Sequence, residues 1–425
     1  MPGRRCFDVS FLSTQVQFSS RLSGVHLLRK IGMVFCAIAV GGIFLADLAA
    51  DEAEKALTRL TDAEQKLLDQ SPFFREVKRH FGDWDLNKNQ ELSTEEIELA
   101  LHNSSIRGAQ AAAITSLRRA VRGDKELAPL SLDKIARGVV TKPAAQPAPP
   151  KYQSMFDTAL KKIETTKRDL FADGPPQLES ISQGRLGDCF LLVSMGTCAY
   201  CDPDRLMKMM QQQPDGKILV TLGSGRQLTI EAPTDGEVAI GATSRNTGCW
   251  TNTYEKAVGT VMLERASKKG TRHVTPLSLI GVGGTPSVPL EILTGHKVRK
   301  HSCQPYREAK DESGRSTADL SALRDDLKQA FAEKRLVVGG CGPKGSQTLV
   351  KGIYYNHSYG VLEYDEVTDT VLFWNPFGHK YTPKGPDGLE NGYSTTNGKF
   401  RVPLNEAVMW FGSFSIETTE AAPEM

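Results

Sequence analysis

Two stretches of this chain hold side chains that could do covalent chemistry together. In residues 183–194, QGRLGDCFLLVS, a polar, glycine-rich approach leads into an apolar run that can continue as a buried helix. Cys189 sits at that junction, at the positive end of a helix dipole, which favours thiolate over thiol. A nucleophilic thiol needs a base and a group to orient the base. Residues 356–378, NHSYGVLEYDEVTDTVLFWNPFG, offer both. Two β-rich runs, near 357–364 and 370–374, flank the polar turn DEVTD and predict an antiparallel hairpin. A turn centred near Val367 makes His357 and Asn375 near cross-strand neighbours. The Asn amide oxygen can then accept from one imidazole nitrogen and leave the other for the thiol.

A second constellation suits a hard cation. The twelve residues DLNKNQELSTEE place Asp85, Asn87, Asn89, Ser93 and Glu96 at alternating positions, and Glu91 offers its backbone carbonyl. Oxygen donors at this spacing, closed by a terminal Glu between two amphipathic helices, resemble the calcium loop of an EF-hand. Position six, which normally needs glycine for a positive φ, is Gln90 here, at a strain of roughly 1 kcal/mol. Only Asp85 and Glu96 bring side-chain charge, so the spacing predicts weak calcium binding. The next helical pair, near 111–121 and 131–139, has few acids between its helices and reads as a silent partner.

The blocks QGRLGDCF, NHSYGVLEYD and FWNPFG resemble the three active-site blocks of the calpain family of papain-like cysteine proteases. CWTNTYEKAVG at 249–259 and GKFRVPLNEAVMWFGSFSIE at 398–417 are similar to further segments of that core. The resemblance implies an α+β, two-lobed papain-like core, one lobe helical and one β-rich, preceded by a small all-α EF-hand domain. It implies Cys189 as nucleophile, His357 as base, Asn375 as orienting group and Gln183 as oxyanion donor. Phe190 and Phe377 stand where the family usually has Trp, and Ser180 where a core calcium site commonly has Asp.

Composition sets the surroundings. Of 425 residues 40% are hydrophobic and 24% charged, which excludes wholesale disorder and fibrous classes. The net charge of +2 shows no basic footprint for nucleic acid, and the resemblance implies a polypeptide substrate as the partner. The apolar run at 31–46, preceded by Arg29 and Lys30, predicts a secretory signal, or an amino-terminal anchor if uncleaved. Either puts the rest outside the cytoplasm, secreted, periplasmic or anchored facing outward, with a membrane partner only in the anchored case. Six cysteines follow that segment; a catalytic thiol leaves five, an odd number, so at least one stays unpaired. Cys198 and Cys201 have redox spacing but sit on the expected Cys189 helix, and the glycine-rich residues 281–286 read as a gating loop or a plain turn.

The expected plan is therefore a signal or anchor at 1–50, a helical EF-hand domain at 51–140, a Pro/Ala linker at 141–154, the catalytic domain at 155–417 and a tail at 418–425. The expected activity is thioester-forming hydrolysis of peptide bonds, modulated by calcium. The rivals are a catalytically silent calcium-binding module, and a transpeptidase or deamidase using the same three groups. The sequence carries no mark of oligomeric state.

Overall fold

The computed structural model describes residues 60–141, 148–270, 275–343, 345 and 347–423. The expected signal at 1–50 and the middle of the Pro/Ala stretch lie outside them. Helix α1 (Asp62–Gln70) starts on a Thr61–Glu64 capping box, and α2 (Pro72–Trp84) starts on Ser71 with Pro72 in its first turn. The twelve-residue loop follows and includes β1 (Glu91–Leu92); Ser93 and Glu96 form the capping box of α3 (Thr94–Leu101). Next come α4 (Gly108–Gly123), β2 (Leu130–Ser131) and α5 (Leu132–Val140). β1 pairs antiparallel with β2, Glu91 opposite Ser131 and Leu92 opposite Leu130, so the two helix–loop–helix units face each other through their loops.

Helix α6 (Tyr152–Thr165) starts inside the expected linker of 141–154. The cause is local packing. Tyr152 stacks on Phe73 with ring centroids 4.9 Å apart, and Gln153 Oε1 accepts from the Ser71 hydroxyl at 2.8 Å and the Phe73 N–H at 3.2 Å. The chain continues through α7 (Cys189–Cys201) and α8 (Pro203–Met209). An antiparallel three-stranded sheet follows, of β3 (Met210–Gln212), β4 (Ile218–Thr221) and β5 (Gln227–Ile230). Helices α9 (Asp235–Ile240), α10 (Trp250–Lys268), α11 (Pro276–Ile280) and α12 (Ser287–Thr294) complete the helix-rich part.

The remainder is built on a six-stranded antiparallel sheet of β6 (His296–Ser302), β7 (Val337–Cys341), β8 (His357–Asp365), β9 (Thr370–Trp374), β10 (Lys399–Pro403) and β11 (Ser413–Ala421), in the order β10-β9-β8-β7-β11-β6. α13 (Ser321–Ala332) and α14 (Leu404–Trp410) accompany it. The architecture is α+β. β11 includes 418–421, which had been expected as loose tail; Ala421 pairs with His296 on β6.

Two hydrophobic cores form. One, from Leu68 through Leu293 with Leu336, Val338, Leu362 and Trp374, unites the EF-hand-like helices with α6–α12 and one face of the sheet, and the other, from Cys303 through Ile416, lies against the sheet as well. The amino-terminal helices therefore share a core with the Cys189 helix, unlike the linker-separated domain that the composition suggested. Polar contacts reinforce the seam. His102, just after α3, has Nδ1 2.6 Å from Glu237 Oε1 on α9, and Glu237 also meets Lys256 at 2.9 Å; on the amino-terminal side Glu98 is held by Arg118 at 2.6 Å. Burial opposes charge on His102, but the hydrogen bond to Glu237 and the Glu98 carboxylate 3.8 Å away outweigh it and hold its pKa above the ordinary 6.5.

A raised histidine pKa gives stability that is complete below the unfolded value and is lost as pH rises through the folded one. Wild-type protein is therefore expected to lose melting temperature, relative to His102→Gln, as pH rises from 6.5 into the mildly alkaline range. The difference at low pH should be about 1.5–3 kcal/mol, the worth of a charged hydrogen bond. Differential scanning calorimetry across that range checks it; parallel wild-type and variant curves would remove His102 from the seam.

Candidate active site and calcium loop

Cys189 is the first residue of α7, and His357 the first of β8. The helix is buried nearly all round, from Phe190 to Ala199, which explains its uniformly apolar sequence. A cavity of about 660 Å³ brings together Cys189, His357, Gln183 and Phe377, with the 281–286 loop along one side. His357 Nε2 lies 2.8 Å from Asn375 Oδ1, which also accepts the Phe377 N–H at 2.9 Å. The Asn oxygen thus makes Nε2 the protonated nitrogen and leaves Nδ1 with a lone pair. Phe377 stacks on the imidazole at 4.3 Å, and Tyr354 meets the Phe377 ring edge-on at 5.2 Å. Across the site, the Gln183 N–H donates to Pro376 O at 2.9 Å, so the loop before the thiol is fastened to the turn after Asn375.

Gln183 itself is turned inward. Its Nε2 donates to Leu186 O at 2.8 Å and to Asp188 Oδ1 at 3.3 Å, and Oε1 is buried without a partner. It lines the cavity with Cys189, but it serves an oxyanion only by giving up one of those bonds. Gly184 is required for close approach: a Cβ there would lie 1.7 Å from Gly241 O.

The thiol is not held as a thiolate in this geometry, contrary to the helix-dipole expectation. Burial is the largest influence and raises its pKa above 9.0; the neighbouring Asp188 charge adds to this, while hydrogen bonding from Ser358 and Phe190 works the other way. Burial, aided by His379 and opposed by the Asn375 hydrogen bond, lowers His357 to about 4. Both shifts favour thiol with neutral imidazole over a thiolate–imidazolium pair. No protein-family model matches the chain, and no curated protein matches it.

Sequence reading missed what lies behind the thiol. Asp188 and Glu255 are fully sealed from solvent, and Lys162 reaches toward them from α6. Burial, then the Asp188 charge and hydrogen bond, lift Glu255 far above the carboxylate range, while burial brings Lys162 down to about 8. Glu255 Oε1 also accepts the Ala242 N–H at 2.6 Å. Only the position of Asp188 beside Cys189 hinted at this. Ser358 was likewise overlooked, although it follows the base directly.

The loop from Asp85 to Glu96 is well formed. Gln90 has φ +66°, Asp85 accepts the Asn89 and Gln90 N–H groups at 3.2 and 2.8 Å, and Asn87 and Asn89 make side-chain turns to residues two ahead. Glu96 reaches across to the N–H groups of Leu86, Asn87 and Ser93 at 2.9, 3.2 and 2.9 Å. Donors that are all oxygen, on a loop already bent at position six, fit calcium. Among the described residues no group of three or more His, Cys, Asp or Glu side chains gathers to hold a metal, and in this loop only Asp85 and Glu96 place side-chain carboxylates at ligand positions.

A thiol pKa above 9.0 makes alkylation slow at neutral pH and faster as pH rises into the alkaline range. Iodoacetamide rates at Cys189, read by peptide mass mapping, should therefore climb through pH 9 without a plateau near 7. Ser358→Ala, which removes a hydrogen bond favouring thiolate, should slow the reaction at every pH. A plateau from about pH 5 would mean a preformed ion pair instead.

Proposed function

We propose that the protein is an exported cysteine endopeptidase with a calpain-type, papain-like two-lobed core. The observation that carries this reading is Cys189 in one cavity with an imidazole whose Nε2 is committed to Asn375 at 2.8 Å. His357 Nδ1 takes the thiol proton as Sγ attacks the peptide carbonyl, and the imidazolium then donates it to the leaving amine. Asn375 keeps the ring in the tautomer and orientation that this needs. The Cys189 backbone N–H and the Gln183 amide, once rotated from Asp188, bind the developing oxyanion. Water attacks the thioester with His357 again as base, and the carboxylate product leaves. Phe377 shields the Asn–His bond from water, as an indole would, without an indole donor. Among the described residues no helix is long and apolar enough to cross a membrane, so export rests on the apolar run at 31–46.

Asp85, Asn87, Asn89, the Glu91 carbonyl, Ser93 and Glu96 are the residues that would hold calcium. Calcium bound there would supply the positive charge that the Asp85 and Glu96 carboxylates otherwise find in the loop's backbone N–H groups.

Cys189→Ala is expected to fold and to lose proteolysis of an unstructured protein by at least about 10³-fold. Cleavage at the wild-type rate by a folded variant would end the endopeptidase reading. Calorimetry on the full chain should give a calcium Kd of about 10⁻⁴ to 10⁻³ M, lost in Glu96→Gln. Because Gln90 is already left-handed without the ion, Gln90→Gly should raise stability by roughly 1 kcal/mol and leave the affinity within about twofold. No calcium heat from wild-type protein would remove the metal site.

A further inference from the structure

The chain is almost neutral overall, yet the surface around Cys189 is not. The cavity holding the thiol has two charged residues in its lining, Arg122 and Lys300, both basic and both exposed. The Lys300 side chain has no hydrogen bond or ion pair among the described residues, its backbone lying in the β6–β11 ladder. Arg122 comes from α4, and its guanidinium donates to Gly281 O in the glycine-rich loop. The acid nearest the thiol in sequence, Asp188, is sealed beneath it and pushed toward its neutral form.

Beyond Gln183 and Phe377, which line both, a second pocket of about 560 Å³ continues the surface. Its charged residues are Arg119, Lys161, Lys162 and Arg185, again with no carboxylate. Among the described residues none of the four forms an ion pair. Arg119 has one long hydrogen bond, to Met155 O at 3.4 Å, and after burial the largest influence depressing it is the like charge of Arg185. Lys161 and Arg185 are exposed and project no hydrogen bond to the protein. Lys162 turns inward, donating to Gly241 O and Ala242 O near the sealed Asp188 and Glu255, but Arg119, Lys161 and Arg185 gather without a carboxylate partner. Like charges so placed cost free energy in the empty protein, and a cleft lined by one sign of charge concentrates ligands of the other.

We propose that this pocket is a subsite for acidic residues, and that the enzyme prefers polypeptides carrying Asp or Glu beside the scissile bond. Arg119 comes from α4 and both lysines from α6, so one amino-terminal helix contributes to specificity as well as core. The pocket is concave and shares two residues with the thiol cavity, which suits a peptide already threaded past Cys189 better than a long polyanion lying over the surface. This rests on the peptidase reading for its biological sense, although binding can be measured without catalysis.

The test uses full-chain Cys189→Ala protein and two fluorescent peptides of identical length, one with Asp and Glu blocks beside a neutral centre and one with Asn and Gln in their place. The acidic peptide should bind at least about tenfold tighter, since several exposed ion pairs each contribute modestly. Lys161→Glu with Arg185→Glu, both at exposed positions, should abolish the difference, as should salt at about 1 M, where screening acts within about 3 Å. Arg119→Gln provides a second variant should the double reversal impair folding. Equal binding of the two peptides overturns the proposal, and so does displacement of the acidic peptide by inorganic phosphate or single-stranded DNA at equal charge concentration. Preferential acidic binding together with no cleavage by wild-type protein would overturn the peptidase reading and keep the subsite.

Discussion

The position of the thiol depends on how closely α7 lies against the six-stranded sheet. A Cβ on Gly196 would meet the Trp374 ring at 2.2 Å, and one on Gly360 would meet the Thr197 hydroxyl at 2.8 Å. Interiors are packed too densely to admit a methyl group at either point without moving a neighbour. Helix and strand are therefore in contact along their bodies, and their first residues, Cys189 and His357, emerge at the same cavity. The chemistry is placed by two glycines and a tryptophan well inside the fold. The loops at the surface have only to leave the cavity open.

Much of this was legible along the chain because it depends on neighbours in sequence. The apolar run after Cys189, the hairpin around Val367 and the loop from Asp85 to Glu96 each follow from periodicity or spacing. The hairpin also shows the limit. Asp365 faces Thr370 and Glu363 faces Leu372, but an irregularity between Val361 and Glu363 shifts the register, so that Val361 faces Phe373. A period of two cannot reveal where an extra residue enters. Packing between distant segments was equally hidden: Tyr152 joined a helix because Phe73 offered it a ring to stack on. The cations around the second pocket were hidden for the same reason, being scattered over α4, α6 and the Cys189 loop and each ordinary by itself.

Charge beneath the thiol is the other feature that no local pattern discloses. Asp188, Glu255 and Lys162 would read as surface residues by type, yet the two acids are sealed and share a site. Two carboxylates so close resist ionising together, and one retained proton lets the other oxygen accept a hydrogen bond. That proton moderates the negative field at Cys189, which the Asp188 charge otherwise raises. The backbone around the pair is held from several directions, with Asn252 donating to Ala242 O at 3.0 Å and to Glu255 Oε2 at 3.1 Å.

The common core of the amino-terminal helices and the Cys189 helix bears on ancestry. Phe73, Tyr152 and Phe156 form one aromatic group, Gly236 lies against Leu101, and the Thr234 hydroxyl donates to Leu101 O at 2.9 Å. A module joined to its neighbour only by a flexible tether can be gained, lost or exchanged between genes with little penalty. These helices cannot, because removing them would strip apolar side chains such as Phe156 and Ile163 of their cover. Recombination breakpoints between residues 60 and 294 should therefore be selected against, and the two parts are expected to diverge in step, each compensating for substitutions in the other.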